Sequence, residues 1–313
     1  MIDCSKQGVF IIFWMVMMLS FGSSAQTDPS ASSFLAVEMR FNMGYNNPAF
    51  GYPAMTQHIT FRVNPYSYLN LTGESADERD LNLGYTGLFG RDQQIGAGLH
   101  VQYNELGFSS QYKFKGHLNY RFDIGEKLKL RAGLSVLTFS WNHLDLEGIR
   151  NGAWDPNDPV LNNLNANNYA LDFDAGIFAI YDGFFLGISY LDFANIGLNE
   201  DAKRYIWAIE RLHINGGAFF AMADHFNATV SVDAESYNST WNFTPTIMVT
   251  YKQQYFAGLS YDLRESEYTR NIGFTAGVVI FKKVNLFATY LAYPNESKFA
   301  RKHWRYGISY LFR

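Results

Sequence analysis

Residues 111–122 read QYKFKGHLNYRF, and sorting them by parity decides the fold. Tyr112, Phe114, Leu118, Tyr120 and Phe122 share one face. Gln111, Lys113, Lys115, His117, Asn119 and Arg121 share the other. No helix sorts residues this way, whereas successive side chains of a strand point to opposite faces. The split recurs upstream, where Ile95, Ala97, Leu99, Val101 and Tyr103 oppose Gln94, Gly96, Gly98, His100 and Gln102. Downstream, Phe226, Ala228, Val230 and Val232 oppose Asn227, Thr229, Ser231, Asp233 and Glu235. At the C-terminus Trp304, Tyr306, Ile308, Tyr310 and Phe312 oppose His303, Arg305, Gly307, Ser309 and Arg313.

Further strands are predicted near 66–72, 81–89, 128–140, 172–181, 184–191, 213–222, 243–252, 255–262, 271–281 and 284–293. That makes about 14, the even count a single-chain bacterial barrel needs. Gln57 to Val63 is one candidate more. It either extends the first strand through Asn64-Pro65 or pairs separately with Tyr66 to Thr72, which leaves 16 strands open. Short connections at 123–127, 182–183, 223–225, 253–254 and 282–283 alternate with longer ones at 141–170, 192–212, 236–242, 263–270 and 294–302. Short periplasmic turns facing long outer loops are the bacterial outer-membrane pattern. The fold expected over residues 56–313 is therefore all-β, an antiparallel transmembrane up-and-down β-barrel. Closure is obligatory, since lipid offers no partner to an unpaired strand edge.

The first 25 residues read as a cleavable signal peptide: Lys6, an apolar run from Val9 to Leu19, then Ser23-Ser24-Ala25 before Gln26. That run is too short for a membrane-spanning helix, which takes ~20 apolar residues. Cys4 is the only cysteine, so the exported chain carries no disulfide. A net charge of -4 argues against a nucleic-acid binder. With 21 Tyr and 27 Phe but only modest overall hydropathy, the composition suits strands in which alternate residues meet lipid.

No catalytic constellation stands out. His100, His117, His213 and His303 fall on predicted inward faces, without metal-ligand spacing, and read as lumen lining. Ser135, Ser231 and Thr275 are inward hydroxyls with nothing to mark one as activated. The acidic runs Glu74–Asp80 and Asn199-Glu200-Asp201 lack the spacing of a calcium loop and read as solvated loops. Gly96, Gly98 and Gly187 inside strands mark bends or close packing. Residues 26–55 show neither period. They read as an N-terminal coil rich in aromatics, with a turn at Asn47-Pro48, that packs on the lower rim or plugs the lumen.

This coil resembles the start of the PorP/SprF membrane proteins of the type IX secretion system, which carry a pattern close to M-F-N-P-x-x-x-N-P-A-Y-A-G. Phe41, Asn42, Asn47, Pro48 and Ala49 match it, Phe50 supplies the aromatic, and Met43 stands where the pattern has its first proline. Phe173-Asp174-Ala175-Gly176-Ile177, Phe185-Leu186-Gly187-Ile188-Ser189, Pro245-Thr246 and Tyr255 to Tyr261 are similar to later family motifs. Arg301-Lys302-His303-Trp304 departs from the usual Gly-Ser-His-Glu. The resemblance implies a non-enzymatic outer-membrane protein without a cofactor. Its expected partners are a large secreted adhesin-like protein, whose secretion or surface anchoring it assists in gliding bacteria, and other components of the secretion machinery. The alternative is a passive channel for a small hydrophobic compound. Barrels of the FadL kind also have about fourteen strands and an N-terminal Asn-Pro-Ala near a lumen plug. A hydrolase is the third reading, and it rests on no particular residue.

Overall fold

A computed structural model describes residues 43–51, 57–69, 75–106, 108–152, 166–194, 196–198, 210–237, 240–263, 271–292 and 303–312. The predicted signal peptide, Phe41, Asn42 and Asn199-Glu200-Asp201 lie outside the described residues, as does the side chain of His303. Fourteen strands form the wall: β1 Gln57–Leu69, β2 Ser75–Phe89, β3 Ile95–Leu106, β4 Ser109–Ile124, β5 Leu128–Leu144, β6 Asn167–Tyr181 and β7 Phe184–Leu191. They continue with β8 Arg211–Ala223, β9 Phe226–Tyr237, β10 Thr240–Tyr251, β11 Tyr255–Asp262, β12 Asn271–Ile280, β13 Val284–Ala292 and β14 His303–Phe312. Each pairs antiparallel with its sequence neighbours, and β1 pairs with β14 from Gln57↔Phe312 to Val63↔Tyr306. The sheet therefore closes on itself as an outer-membrane-type barrel.

The fifteenth candidate is settled by pairing. Gln57 to Val63 runs on through Asn64-Pro65 into β1, and β2 follows it in unbroken register to Leu69↔Ser75. Two expectations are corrected. The acidic run Glu74–Asp80 is not a loop, because Ser75 onward belongs to β2. The connection expected at 236–242 shrinks to residues 238–239, since Tyr237 pairs with Thr240. In both places the sequence lacks the apolar half of the alternation, and pairing continues in register from the strand below. The segment at 141–170 contracts to 145–166 and contains the short helix α1, Leu146–Gly152.

Within the bilayer the alternation holds. Leu118, Tyr120 and Phe122 face out, while Lys115, His117, Asn119 and Arg121 are buried inside. In β5 the register shifts between Ser135 and Thr138, so Val136 and Leu137 both face lipid. Toward the long-loop ends Tyr103, Tyr112, Trp141 and Tyr169 of four adjacent strands stack side by side. Such an aromatic girdle belongs at a membrane interface.

The wall is uneven. β5 has 17 residues but β7 only 8. Beyond Leu191 the chain leaves the wall and folds back on β6, where a two-residue strand, Ile196–Gly197, pairs with Leu171 and Ala170.

Candidate functional site: a seated N-terminal turn inside the barrel

Every strand contributes at least one lumen-facing side chain that is almost fully removed from solvent, from His58 and Thr60 on β1 to Ser309 on β14. An open aqueous pore would leave its lining wet, so the lumen is built as an interior. Its apolar part sits toward the short turns, where Phe178, Phe185, Met248, Phe256, Val279 and Phe287 cluster with Met43, Ala49 and Phe50. Those last three belong to the N-terminal segment, which lies inside the barrel.

The segment's shape follows from its sequence. Residues 43–46 form a helical turn that closes with Asn47 N–H donating to the Met43 carbonyl at 2.8 Å. Asn47-Pro48-Ala49-Phe50 then makes a β-turn, Phe50 N–H donating to the Asn47 carbonyl at 3.0 Å. Proline suits the second place of such a turn because its φ is already set. Asn47 suits the first, since its Oδ1 accepts from Ala49 N–H at 2.9 Å. Its Nδ2 donates across to the Ile177 carbonyl on β6 at 3.0 Å.

Glycines make the seat. Gly133 on β5 stands opposite Gly176 on β6, and Gly187 lies on β7. A Cβ at Gly133 would come within 2.4 Å of the Pro48 carbonyl oxygen, and one at Gly176 within 2.3 Å of Asn47 Oδ1. At Gly187 a Cβ would sit 2.8 Å from Asn47 Nδ2 and 2.1 Å from Asn215 Oδ1. Only glycine lets backbone approach backbone so closely.

Polar groups of the wall hold the turn's carbonyls. Lys115 Nζ donates to the Tyr45 carbonyl and Ser189 Oγ to the Asn46 carbonyl, each at 2.5 Å. Asn119 Nδ2 donates to the Pro48 carbonyl at 3.0 Å and the Phe50 carbonyl at 3.3 Å. Arg131 orients that amide by donating to its Oδ1 at 2.8 Å. The Tyr45 hydroxyl donates to Gln102 Oε1 at 2.5 Å. Burial pushes its phenol above the ordinary value, against the opposing pull of Lys113 and Arg211, so it remains a donor.

Behind these contacts runs a chain of ion pairs. Lys115 meets Asp174 at 2.7 Å, and Asp174 also accepts from Ser135 Oγ and from the Asp192 N–H, each at 2.8 Å. Asp192, the first residue beyond β7, holds Lys113 at 2.6 Å and Arg211 at 2.9 Å, and Arg211 reaches Glu235 at 2.7 Å. Buried charges are tolerable only in such pairs. The network fixes the base of the 192–210 connection to the same wall that seats the turn.

Of the motif residues marked in the sequence, Asn47, Pro48, Ala49 and Phe50 are brought together here. Met43, where the family pattern has proline, is buried beside them in the apolar cluster. His100 and His117 stack with ring centroids 5.3 Å apart, and His213 is buried on the far wall. Among the described residues no three His, Cys, Asp or Glu side chains gather as metal ligands. Lys115 and Asn119 hold the turn from the inward face that the alternation predicts and Ser189 from a stretch that resembles the family, whereas Gly133 carries no sequence signal.

A closed fourteen-stranded antiparallel barrel with a lipid-facing alternation is an outer-membrane β-barrel, here one whose N-terminal turn occupies its own lumen. A model of the type IX secretion system membrane protein PorP/SprF family matches residues 23–309, and the chain belongs to that family. Its place is the bacterial outer membrane, and its partners are components of the type IX secretion system. No curated protein matches the sequence. Among solved structures the chain is similar to the Ralstonia pickettii toluene transporter TbuX, at 10% identity and a TM-score of 0.54 over 87% of this chain and 93% of that one. It is also similar to the Pseudomonas putida toluene transporter TodX, at 10% identity and a TM-score of 0.51 over 86% and 92%. At such identity the likeness shows the fold alone.

Proposed function

We propose that this barrel binds a large adhesin-like protein exported by the type IX system and assists its secretion or its anchoring at the cell surface, in support of gliding. The role is non-enzymatic and draws on no cofactor. The observation that carries this reading is the N-terminal turn seated in the lumen. With a turn seated inside the wall and side chains of all fourteen strands withdrawn from water, the barrel offers its outer rim, not a passage, to a partner. The longest connections, 145–166 and 192–210, begin and end at that rim, and the second is tied to the lumen network through Asp192. Passage of a small hydrophobic compound, the competing reading, requires a continuous apolar path. Here the apolar cluster packs around Met43, Ala49 and Phe50 instead.

The test is deletion of the gene, followed by fractionation of cells and medium. Loss of one large surface protein from the cell envelope is the expected result. Unchanged display of every large surface protein would refute the reading.

A further inference from the structure

Outside the seated turn the lumen keeps a cavity of about 220 Å³, reached by Asn46 from the turn and by Met248 from the apolar cluster. Glu235, Asn242, Asp262 and Arg305 line it, each within two residues of the long-loop end of its strand, so it belongs to the cell-surface half of the barrel. Three carboxylates, Asp233, Glu235 and Asp262, face one guanidinium, Arg305, and the remaining polar lining is mostly hydroxyls and amides. Among the described residues no Phe, Tyr or Trp lines it. The volume is below the ~300–1,000 Å³ of sites that enclose a drug-sized molecule. Its size admits a single long side chain, and its polar lining does not suit a hydrophobic compound.

His213 supplies the second observation. It lines the cavity, is 2% exposed, and turns Nε2 toward Asp233 Oδ1 at 3.4 Å. The two make a charge contact and not a hydrogen bond, since Asp233 Oδ1 is buried without a hydrogen-bond partner among the described residues. Nδ1 has no hydrogen-bond partner among the described residues. A buried carboxylate oxygen without a donor, beside a buried imidazole in a hydroxyl-lined cavity, matches a ligand that brings several N–H donors and a positive charge.

We propose that this cavity takes the side chain of a lysine or arginine from an exported polypeptide, its cation set against Asp233 beside His213. The polypeptide as source rests on the function proposed above, whereas the cationic chemistry rests on the cavity. Glu235 is already held by Arg211 and Asp262 also has a partner of its own, so Asp233 is the carboxylate to test.

The full barrel in detergent micelles would be titrated with three probes: N-acetylarginine amide, the neutral isostere N-acetylcitrulline amide, and the free diamine putrescine. Saturation-transfer NMR reads the binding. The arginine probe is expected to bind, the citrulline probe at least about tenfold more weakly, and Asp233→Asn to cost the arginine probe about tenfold. Ser309→Ala, on β14 and outside the cavity, is expected to change nothing. Folding of each variant is checked by its heat-dependent gel migration, and Asp262→Asn replaces Asp233→Asn where the latter does not fold. Equal binding of arginine and citrulline probes, no binding to the folded parent, or an unaffected Asp233→Asn would overturn the proposal. Binding of putrescine alone would overturn the polypeptide source. Arginine binding in a protein whose deletion leaves surface display intact would keep this site and remove the proposed function.

Discussion

Replacing Asn47 by alanine should unseat the N-terminal turn without unfolding the barrel. Asn47 is fully buried and its side chain makes two hydrogen bonds, from Ala49 N–H and to the Ile177 carbonyl. Each contributes roughly 0.5–1.5 kcal/mol net, and a buried N–H left without an acceptor costs roughly a further 1–3 kcal/mol. The sum is about 2–6 kcal/mol against the seated state. At about 1.4 kcal/mol per decade, the unseated population rises about 30- to 20,000-fold. The barrel wall loses nothing comparable, since its ladder does not pass through Asn47, so the change is a local opening.

The sequence supplies a clean reporter. Cys4 is the only cysteine, so with Cys4 replaced a single thiol can be placed at will. Ala49→Cys puts it at a position with no exposure, and its maleimide labelling rate follows the unseated population when seating is fast relative to labelling. Labelling in the Asn47→Ala background should accelerate by the factor above while gel migration stays that of a folded barrel. Unchanged labelling in a folded barrel would refute the claim that Asn47 holds the turn.

Gly133→Ala should have the same effect by a steric route, because its Cβ meets the backbone of Pro48 and Ala49, at a cost of about 1–3 kcal/mol or more; Ala49→Cys labelling reads it, and the parent rate would contradict it. Lys115→Met leaves Asp174 buried without its cation, a loss of about 3–5 kcal/mol, and Lys115→Met with Asp174→Asn should recover part of it. Urea-dependent unfolding in vesicles measures both, and a double variant no better than the single would deny the pairing. Leu134→Arg places a charge on the lipid face of β5 and should cost about 2–4 kcal/mol in the same assay, while a value near zero would mean Leu134 does not face hydrocarbon.

The lipid face was legible because hydrocarbon imposes a strict rule on every second residue. Tyr120 and Phe122 could not face in, nor Asn119 and Arg121 face out. Where the strands leave the bilayer that rule lapses. The β2 run Ser75 to Asp80 and the tip at Tyr237–Thr240 therefore carried no alternation to read, and their pairing is set by register inherited from the membrane. The turn at Asn47-Pro48 was legible from its own residue types. Its seat was not, because Gly133, Gly176 and Gly187 meet only once three strands are in register. Inward-facing glycines on neighbouring strands are the available signal, and Gly176 and Gly187 fall in stretches that resemble the family while Gly133 does not. The ion-pair chain is harder still, for its members lie on β4, β6, β8 and β9 and in the connection after β7.

The seat and the outer cavity are not independent. Asn46 offers its carbonyl to Ser189 at 2.5 Å, next to the Tyr45 carbonyl that Lys115 holds, and Asn46 also lines the cavity. A buried Lys–Asp pair contributes little net stability. What Lys115 and Ser189 fix is the position of two consecutive carbonyls, and with them one wall of the cavity. If the turn leaves its seat, Asn46 leaves that wall, so a cation in the cavity must favour the seated turn. The coupling is reciprocal by necessity: whatever factor seating adds to cation affinity, the bound cation adds to seating. The arginine probe should therefore slow labelling at Ala49→Cys by that factor, and Asp233→Asn should abolish the slowing while leaving the basal rate alone. Slowing that survives Asp233→Asn would place the probe elsewhere. An N-terminal motif that reads as a stopper is, on this geometry, also part of the surface presented to the outside.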